Sequence, residues 1–158
     1  LVGFGIRQHI KVIASGKILS GFHILRAMAL GADGCNSARA MMMALGCIQA
    51  LLCNTNRCPT GITTQDPQLT VGLVVEDKKH RVANYHEDTV KSFVELLGAA
   101  GLEDMKQLTR SHIYRRVFMN EVRTFEDVFP SLQPGCLLNG NIPEKYKQDI
   151  EAASADRW

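Results

Sequence analysis

The sequence predicts an α/β fold with a parallel sheet covered by helices, and three observations carry that prediction. Lys11 to Ala14 and Ala32 to Asn36 are short runs of apolar or small residues, each followed by a helical pattern. Neither run alternates in the way a half-solvated strand does. A turn signal, Ser15-Gly16-Lys17, separates the first run from its helix. Strand, turn and helix repeated with buried strands indicate parallel pairing.

Taken in order, Lys11 to Ala14 (KVIA) is a strand, partly β-branched and bounded by the turn. Ser20-Gly21 opens a helix whose Phe22, Leu25, Met28 and Ala29 follow helical spacing, and Leu30-Gly31 stops it. Ala32 to Asn36 is the second strand, with Cys35 as one of its core residues. Ser37 is then an N-cap for a long buried helix running from Ala38 to about Leu52. Beyond Cys58 the chain turns loop-like through Pro59, Gly61, Asp66 and Pro67. His80 to Leu97 is an amphipathic helix with Val82, Tyr85, Val90, Phe93, Val94 and Leu97 on one side, stopped by Gly98 and Gly101. Leu108 to Val117 reads as a further helix, and Thr124 with Asp127 as a capping pair for a short one. A tail with Pro130, Pro134, Gly135, Gly140 and Pro143 reads mostly as turn. Three regions result: 1–52 with the βα units, 53–73 with a cysteine loop, and 74–158 as a mostly helical extension. Two βα units cannot close a sheet, and a complete βα barrel takes about 250 residues. The expectation is therefore the carboxyl-terminal part of a longer protein.

Composition excludes several classes of function. The chain has 158 residues, 46% hydrophobic and 22% charged, which is ordinary for a globular protein. Its net charge of +2 is spread along the length with no basic run, so no nucleic-acid partner is expected. The most apolar stretch, Ala38 to Cys53, is interrupted by Arg39 and Gln49 and is shorter than the roughly 20 residues of a membrane span, so no membrane partner is expected either. The start shows neither a basic n-region nor a small-residue cleavage site, so no secretory signal is expected. Five cysteines are an odd number for a disulfide framework. Free thiols or metal ligands imply a reducing, cytoplasmic compartment.

Two constellations bear chemistry. Ser15-Gly16-Lys17 lies at the carboxyl end of the first strand, where parallel α/β folds place ligands. Ala38 and Arg39 open the next helix, where free backbone N–H groups attract an anion and Arg39 adds a fixed charge. Together they suit a phosphate; the alternative is a tight βα turn at Gly16 and a surface charge at Arg39. Cys47, Cys53 and Cys58 form the spacing C-x5-C-x4-C. Zinc is disfavoured because no fourth ligand lies close by, whereas three thiolates suit an iron–sulfur cluster with three protein-ligated irons. The alternative is a core cysteine at 47 with incidental ones at 53 and 58. The histidines are scattered, Met41-Met42-Met43 reads as core packing, and no Ser-His-Asp order, Walker motif or GxGxxG is present.

Here the residues match a known pattern. IASGKILSGFHILRAMALGAD, followed by SARAMMMALGC, resembles the last two βα units of the FMN-binding barrels, most closely the synthase domain of the glutamate synthase family. GCIQALLCNTNRCPTGITTQD resembles that family's cluster loop, in which the same three-cysteine spacing binds a 3Fe-4S centre. The likeness continues through GLVVEDKKHRVANYHEDTV and LLGAAGL, over roughly the first three-quarters of the chain, and ends before Phe118.

The resemblance implies a fold class: the carboxyl-terminal βα units of a TIM-type (β/α)8 barrel, followed by the cysteine loop and the helical extension. It implies that Ser15, Gly16 and Lys17, largely through backbone N–H groups, and Ala38 and Arg39 hold the phosphate of FMN. Cys47, Cys53 and Cys58 are implied as ligands of the 3Fe-4S cluster. The implied reaction adds ammonia, free or from glutamine, to 2-oxoglutarate and reduces the 2-iminoglutarate formed with hydride from reduced FMN. The cluster passes electrons from a donor subunit or ferredoxin. Residues contacting the substrate fall on strands outside this sequence, so no catalytic residue is named. Ala38 to Cys47 spans nine steps, about 14 Å of helix at 1.5 Å per residue, which would fix the spacing of flavin phosphate and cluster. Two alternatives remain: another FMN-barrel oxidoreductase with a different substrate, and a non-enzymatic interaction fragment.

Overall fold

Asp33 joins the starts of two strands, and the first sheet is built on that junction. Its carboxylate accepts from the Val12 amide at 2.7 Å and from Arg7 Nη2 at 2.7 Å, while its own amide donates to the Val12 carbonyl at 2.8 Å. Arg7 Nη2 also donates to the Gly31 carbonyl at 2.7 Å, and Lys11 Nζ stands 3.5 Å from the carboxylate. From this staple Ile13–Ser15 (β1) and Gly34–Asn36 (β2) run parallel, with Ile13 opposite Gly34, Ala14 opposite Cys35 and Ser15 opposite Asn36. The chain is described here by a computed structural model covering residues 1–153.

Gly21–Ala29 (α1) follows β1, as expected, with Ser20 as its N-cap. Val75–Ala99 (α4), a 25-residue helix, crosses α1 so closely that a Cβ at Gly21 would lie 2.5 Å from the Phe93 amide nitrogen. Only glycine permits that approach. Leu25 and Ala29 of α1 pack with Phe93 and Leu97 of α4, and Leu108, Ile113 and Phe125 close the same core. Burial pushes the Cys35 thiol pKa up.

Three helices end in one way. Gly31, Gly46 and Gly101 have φ of +109°, +103° and +74°. After each glycine the next amide reaches five residues back: Ala32 to the Ala27 carbonyl, Cys47 to Met42 and Leu102 to Leu97, at 3.0–3.1 Å. This paired capping arrangement needs the left-handed conformation that glycine adopts freely.

It also corrects the sequence reading. The helix expected from Ala38 to Leu52 is Arg39–Ala44 (α2), six residues, because Gly46 terminates it. It is not deeply buried: only Ala40 is, while Ile48 and Leu51 beyond it are 67% and 84% exposed. Cys47 therefore belongs to the cap, and no continuous helix measures the distance from Ala38 to it. Ser37 does not cap α2; Ala38 occupies that position without a side-chain bond, and the Ser37 hydroxyl is used elsewhere. The strands expected to be buried are open, with Ile13 62% exposed.

The long helix starts at Val75, five residues before the expected His80, and Gly98 does not stop it. The helix expected over Leu108 to Val117 is absent. A 3₁₀ turn at Arg110–His112 leads into Tyr114–Phe118 (β3), which pairs antiparallel with Glu121–Thr124 (β4). Tyr114, Val117 and Phe118 favour strand, and the opposing strand supplies backbone bonds that a helix would have had to make internally. Thr124 and Asp127 do form a capping box for Phe125–Val128 (α5). Between the cysteine loop and α4 lies the short helix Pro67–Thr70 (α3), and the tail is turn and irregular backbone from Pro130 to Pro143, as expected, before the helix Glu144–Ala152 (α6). The fold is thus mixed α/β with two small two-stranded sheets among the described residues. No described helix is long and apolar enough to cross a membrane.

The Asp33 junction sets a pH dependence. The Val12 amide first, then Arg7, hold the Asp33 carboxyl below its ordinary 3.8. A carboxyl whose pKa is depressed on folding adds stability that is complete above its unfolded pKa and fades as pH falls through the folded one. Asp33→Asn is therefore expected to melt below the wild type at pH 7, with the gap narrowing below pH 3.8, as scanning calorimetry across pH would show.

Candidate functional site

The loop after β1 is held in an unusual shape. Gly16 has φ +93° and Lys17 φ +57°, so two successive residues sit in the left-handed region. No atom outside the immediate chain lies within 4 Å of where a Gly16 Cβ would be, so φ rather than crowding requires glycine there. The amides of Lys17 and Ile18 donate to no protein acceptor among the described residues.

Ile18 and Leu19, just past the turn, are pinned on both sides. The Ser37 hydroxyl donates to the Ile18 carbonyl at 2.7 Å, and the Tyr85 hydroxyl, from α4, donates to the Leu19 carbonyl at 2.6 Å. The Leu19 amide donates to His23 Nδ1 at 3.4 Å, and the Ile18 side chain is buried beneath. The unpartnered amides are thereby fixed relative to α2.

All five residues expected to meet a phosphate line one cavity of about 370 Å³: Ser15, Gly16, Lys17, Ala38 and Arg39, together with Ile18 and Asn36. Ala38 makes no side-chain cap, so the first amides of α2 are free as well. A six-residue helix has little dipole, so the attraction for an anion comes mainly from the amides and the Arg39 guanidinium. These donors fit a phosphate group. The sequence reading missed Asn36 as part of the cavity, although its place at the carboxyl end of β2 was a usable signal. It also missed the role of Tyr85, which had appeared only as part of an apolar helix face.

The three cysteines lie in a loop organised by its other residues. Asn56, at φ +61°, accepts from the Gln65 amide through its side chain at 2.7 Å and from the Thr64 hydroxyl through its carbonyl at 2.7 Å. Asp66 caps α3 by accepting from the Gln68 amide at 2.9 Å. Gly61, at φ +77°, rests so close to α3 that a Cβ would lie 2.5 Å from the Leu69 carbonyl oxygen.

Within this frame Cys58 is buried, and its Sγ lies 3.3 Å from Thr60 Oγ1. That hydroxyl, followed by the amide and hydroxyl of Thr63, brings the thiol pKa down to about 6. The Thr63 hydroxyl itself is buried and has no partner at good hydrogen-bonding geometry.

Cys47 is half-buried, with Sγ accepting from the Gln49 amide at 3.4 Å, and Cys53 is exposed. The structure does not bring the three together: no three His, Cys, Asp or Glu side chains among the described residues are grouped to hold a metal. In this arrangement the sulfurs do not fit an assembled cluster. Gln49 and Leu51, between the first two cysteines, have φ of +57° and +58°, and Leu51 is 84% exposed. Left-handed backbone at an exposed leucine is strained, and no packing accounts for it.

Against known proteins, the conserved region in glutamate synthase matches residues 1–103, the span that holds both loops. The chain belongs to the glutamate synthase family. The glutamate synthase large subunit-like protein YerD of Bacillus subtilis is 44% identical over 113 residues, 72% of this chain and 22% of that protein. The archaeal NADPH glutamate synthase of Methanocaldococcus jannaschii is 41% identical over 104 residues, 66% of this chain and 20% of that protein. The NADH glutamate synthase of Saccharomyces cerevisiae is 26% identical over 148 residues, 91% of this chain and 7% of that protein. The chain thus spans about a fifth of the length of the first two relatives.

Asn56 explains much of the loop's shape, so its loss should be local. Asn56→Ala is expected to weaken the loop by about 1 kcal/mol, read as roughly fivefold faster hydrogen exchange at the Gln65 amide. Unchanged exchange there would show that Asn56 does not hold the loop.

Proposed function

We propose that this chain supplies the FMN-phosphate site and the cluster loop of a glutamate synthase, with β1 and β2 as the last two strands of a TIM-type (β/α)8 barrel. The observation that carries the reading is the single cavity in which Ser15, Gly16, Lys17, Ala38 and Arg39 converge from two separate βα loops. Convergence of free amides and one guanidinium is what a phosphate monoester requires.

In this reading each residue has a defined task. The left-handed turn at Gly16-Lys17 leaves the Lys17 and Ile18 amides free for the phosphate, Ser37 and Tyr85 keep that turn from relaxing, and Arg39 supplies a permanent charge. Fixing the phosphate end orients the rest of the cofactor at the carboxyl ends of the strands. When bound, FMN would supply the hydride that reduces 2-iminoglutarate, formed from 2-oxoglutarate and ammonia, to glutamate.

Cys47, Cys53 and Cys58 are proposed to ligate a 3Fe-4S cluster that exchanges electrons with a donor subunit or ferredoxin. Support comes from the donor set, from the thiolate-favouring surroundings of Cys58 and from the unaccounted strain at Gln49 and Leu51. Assembly would require residues 48–53 to move, since the thiols now stand apart. A metal site is seldom complete before its metal arrives.

The test separates phosphate recognition from flavin-ring recognition. Arg39→Ala is expected to weaken FMN binding by about 2 kcal/mol, roughly thirtyfold, and to leave riboflavin binding unchanged, by flavin fluorescence titration of the full-length protein. Equal losses for both flavins, or none, would contradict the assignment.

A further inference from the structure

A second cleft, remote from the phosphate cavity in its lining residues, lies between α1 and the hairpin with its following helix. It has a volume of about 490 Å³, and its walls are Phe22 and Leu30 of α1 and its cap, Tyr114 of β3 and Phe129 just after α5. Tyr114 is 66% exposed, and Phe22 and Phe129 are also exposed. Three aromatic rings facing solvent around one depression are costly unless something covers them.

The cleft is preformed. Arg110 donates from Nη1 to the Phe129 carbonyl at 2.5 Å and from Nη2 to the Leu30 carbonyl at 3.4 Å, tying the two walls together. Phe125 packs edge-on against Phe129, with centroids 5.5 Å apart.

Its charge is uncompensated. Arg26 and Arg115 both line it, and neither has an ion pair or a side-chain hydrogen bond among the described residues. The acidic residues nearest to Arg115 in sequence are already used. Glu121 pairs with Arg123 at 2.5 Å. Glu126 accepts from the Ser131 amide and hydroxyl at 2.8 and 3.0 Å, and Asp127 accepts from the Thr124 amide and hydroxyl at 3.0 and 2.6 Å. Two free guanidinium groups beside aromatic walls call for carboxylates on the same ligand that presents an apolar group.

We infer that this cleft docks an acidic segment of a partner protein, seating one aromatic or aliphatic side chain between the rings while flanking carboxylates pair with Arg26 and Arg115. Tyrosine, phenylalanine and arginine around a rigid depression are the composition of interface hot spots. Two cations without a basic run are too few to track a nucleic-acid backbone. The inference is independent of the flavin and cluster assignments, because none of these residues belongs to either loop.

The probe is a fluorescein-labelled peptide Glu-Phe-Glu-Glu-Leu, compared with its Gln-for-Glu counterpart, in anisotropy titrations of the full-length protein. Saturable binding of the acidic peptide is expected, weakened about tenfold or more by Arg115→Glu and by Arg26→Ala and reduced by salt. Arg115 is exposed, so its variant should fold even if Arg26→Ala does not. Equal binding of the neutral peptide, no saturable binding, or affinity unchanged by Arg115→Glu would overturn the proposal. Self-association of the protein that Arg115→Glu abolishes would also overturn it, by giving the cleft to a second copy.

Discussion

Two hydroxyl groups hold the part of the molecule on which the rest of the functional account depends. Ser37 bonds the Ile18 carbonyl and Tyr85 bonds the Leu19 carbonyl, so the turn at Gly16-Lys17 is anchored from the next βα loop and from the long helix at once. The turn holds two left-handed residues, one of them a lysine, and such backbone persists only where neighbours leave no alternative. The long helix in turn is placed by its contact with α1, where Gly21 lets the Phe93 backbone approach. Core packing, the position of Tyr85 and the outward amides are thus successive consequences of one close helix crossing.

The cysteine loop follows a different logic. Its polar residues order the segment from Asn56 to Asp66 firmly against α3, and Cys58 is fixed by that order. Cys47 is fixed from the other side, as the residue whose amide completes the cap of α2. Between them Cys53 lies exposed in a stretch with strained backbone. Cys47 and Cys58 are thus each held by local hydrogen bonds, and Cys53 lies between them on the surface.

Much of this was legible from residues with a strong local signal. The βα repeat, the Leu30-Gly31 stop, the amphipathic pattern of α4 and the Thr124-Asp127 box all encode structure within a few positions. That Ser15, Gly16, Lys17, Ala38 and Arg39 meet in one cavity was legible because parallel strands deliver their loops to one end. The short α2 was misread although Leu45-Gly46 carries the same stop as Leu30-Gly31, because the apolar run to Leu52 outweighed one glycine. The hairpin at 114–124 was misread because its strands depend on each other, a pairing that a single window of sequence does not contain. Tyr85 to Leu19, 66 residues apart, was illegible for the same reason.

If the two cofactor loops are parts of one unit, iron content shows it most directly. Anaerobically purified protein should contain about three irons per chain with matching acid-labile sulfide and an EPR signal, both lost in Cys53→Ala. Folded protein that retains FMN yet holds no iron after anaerobic reconstitution would contradict it.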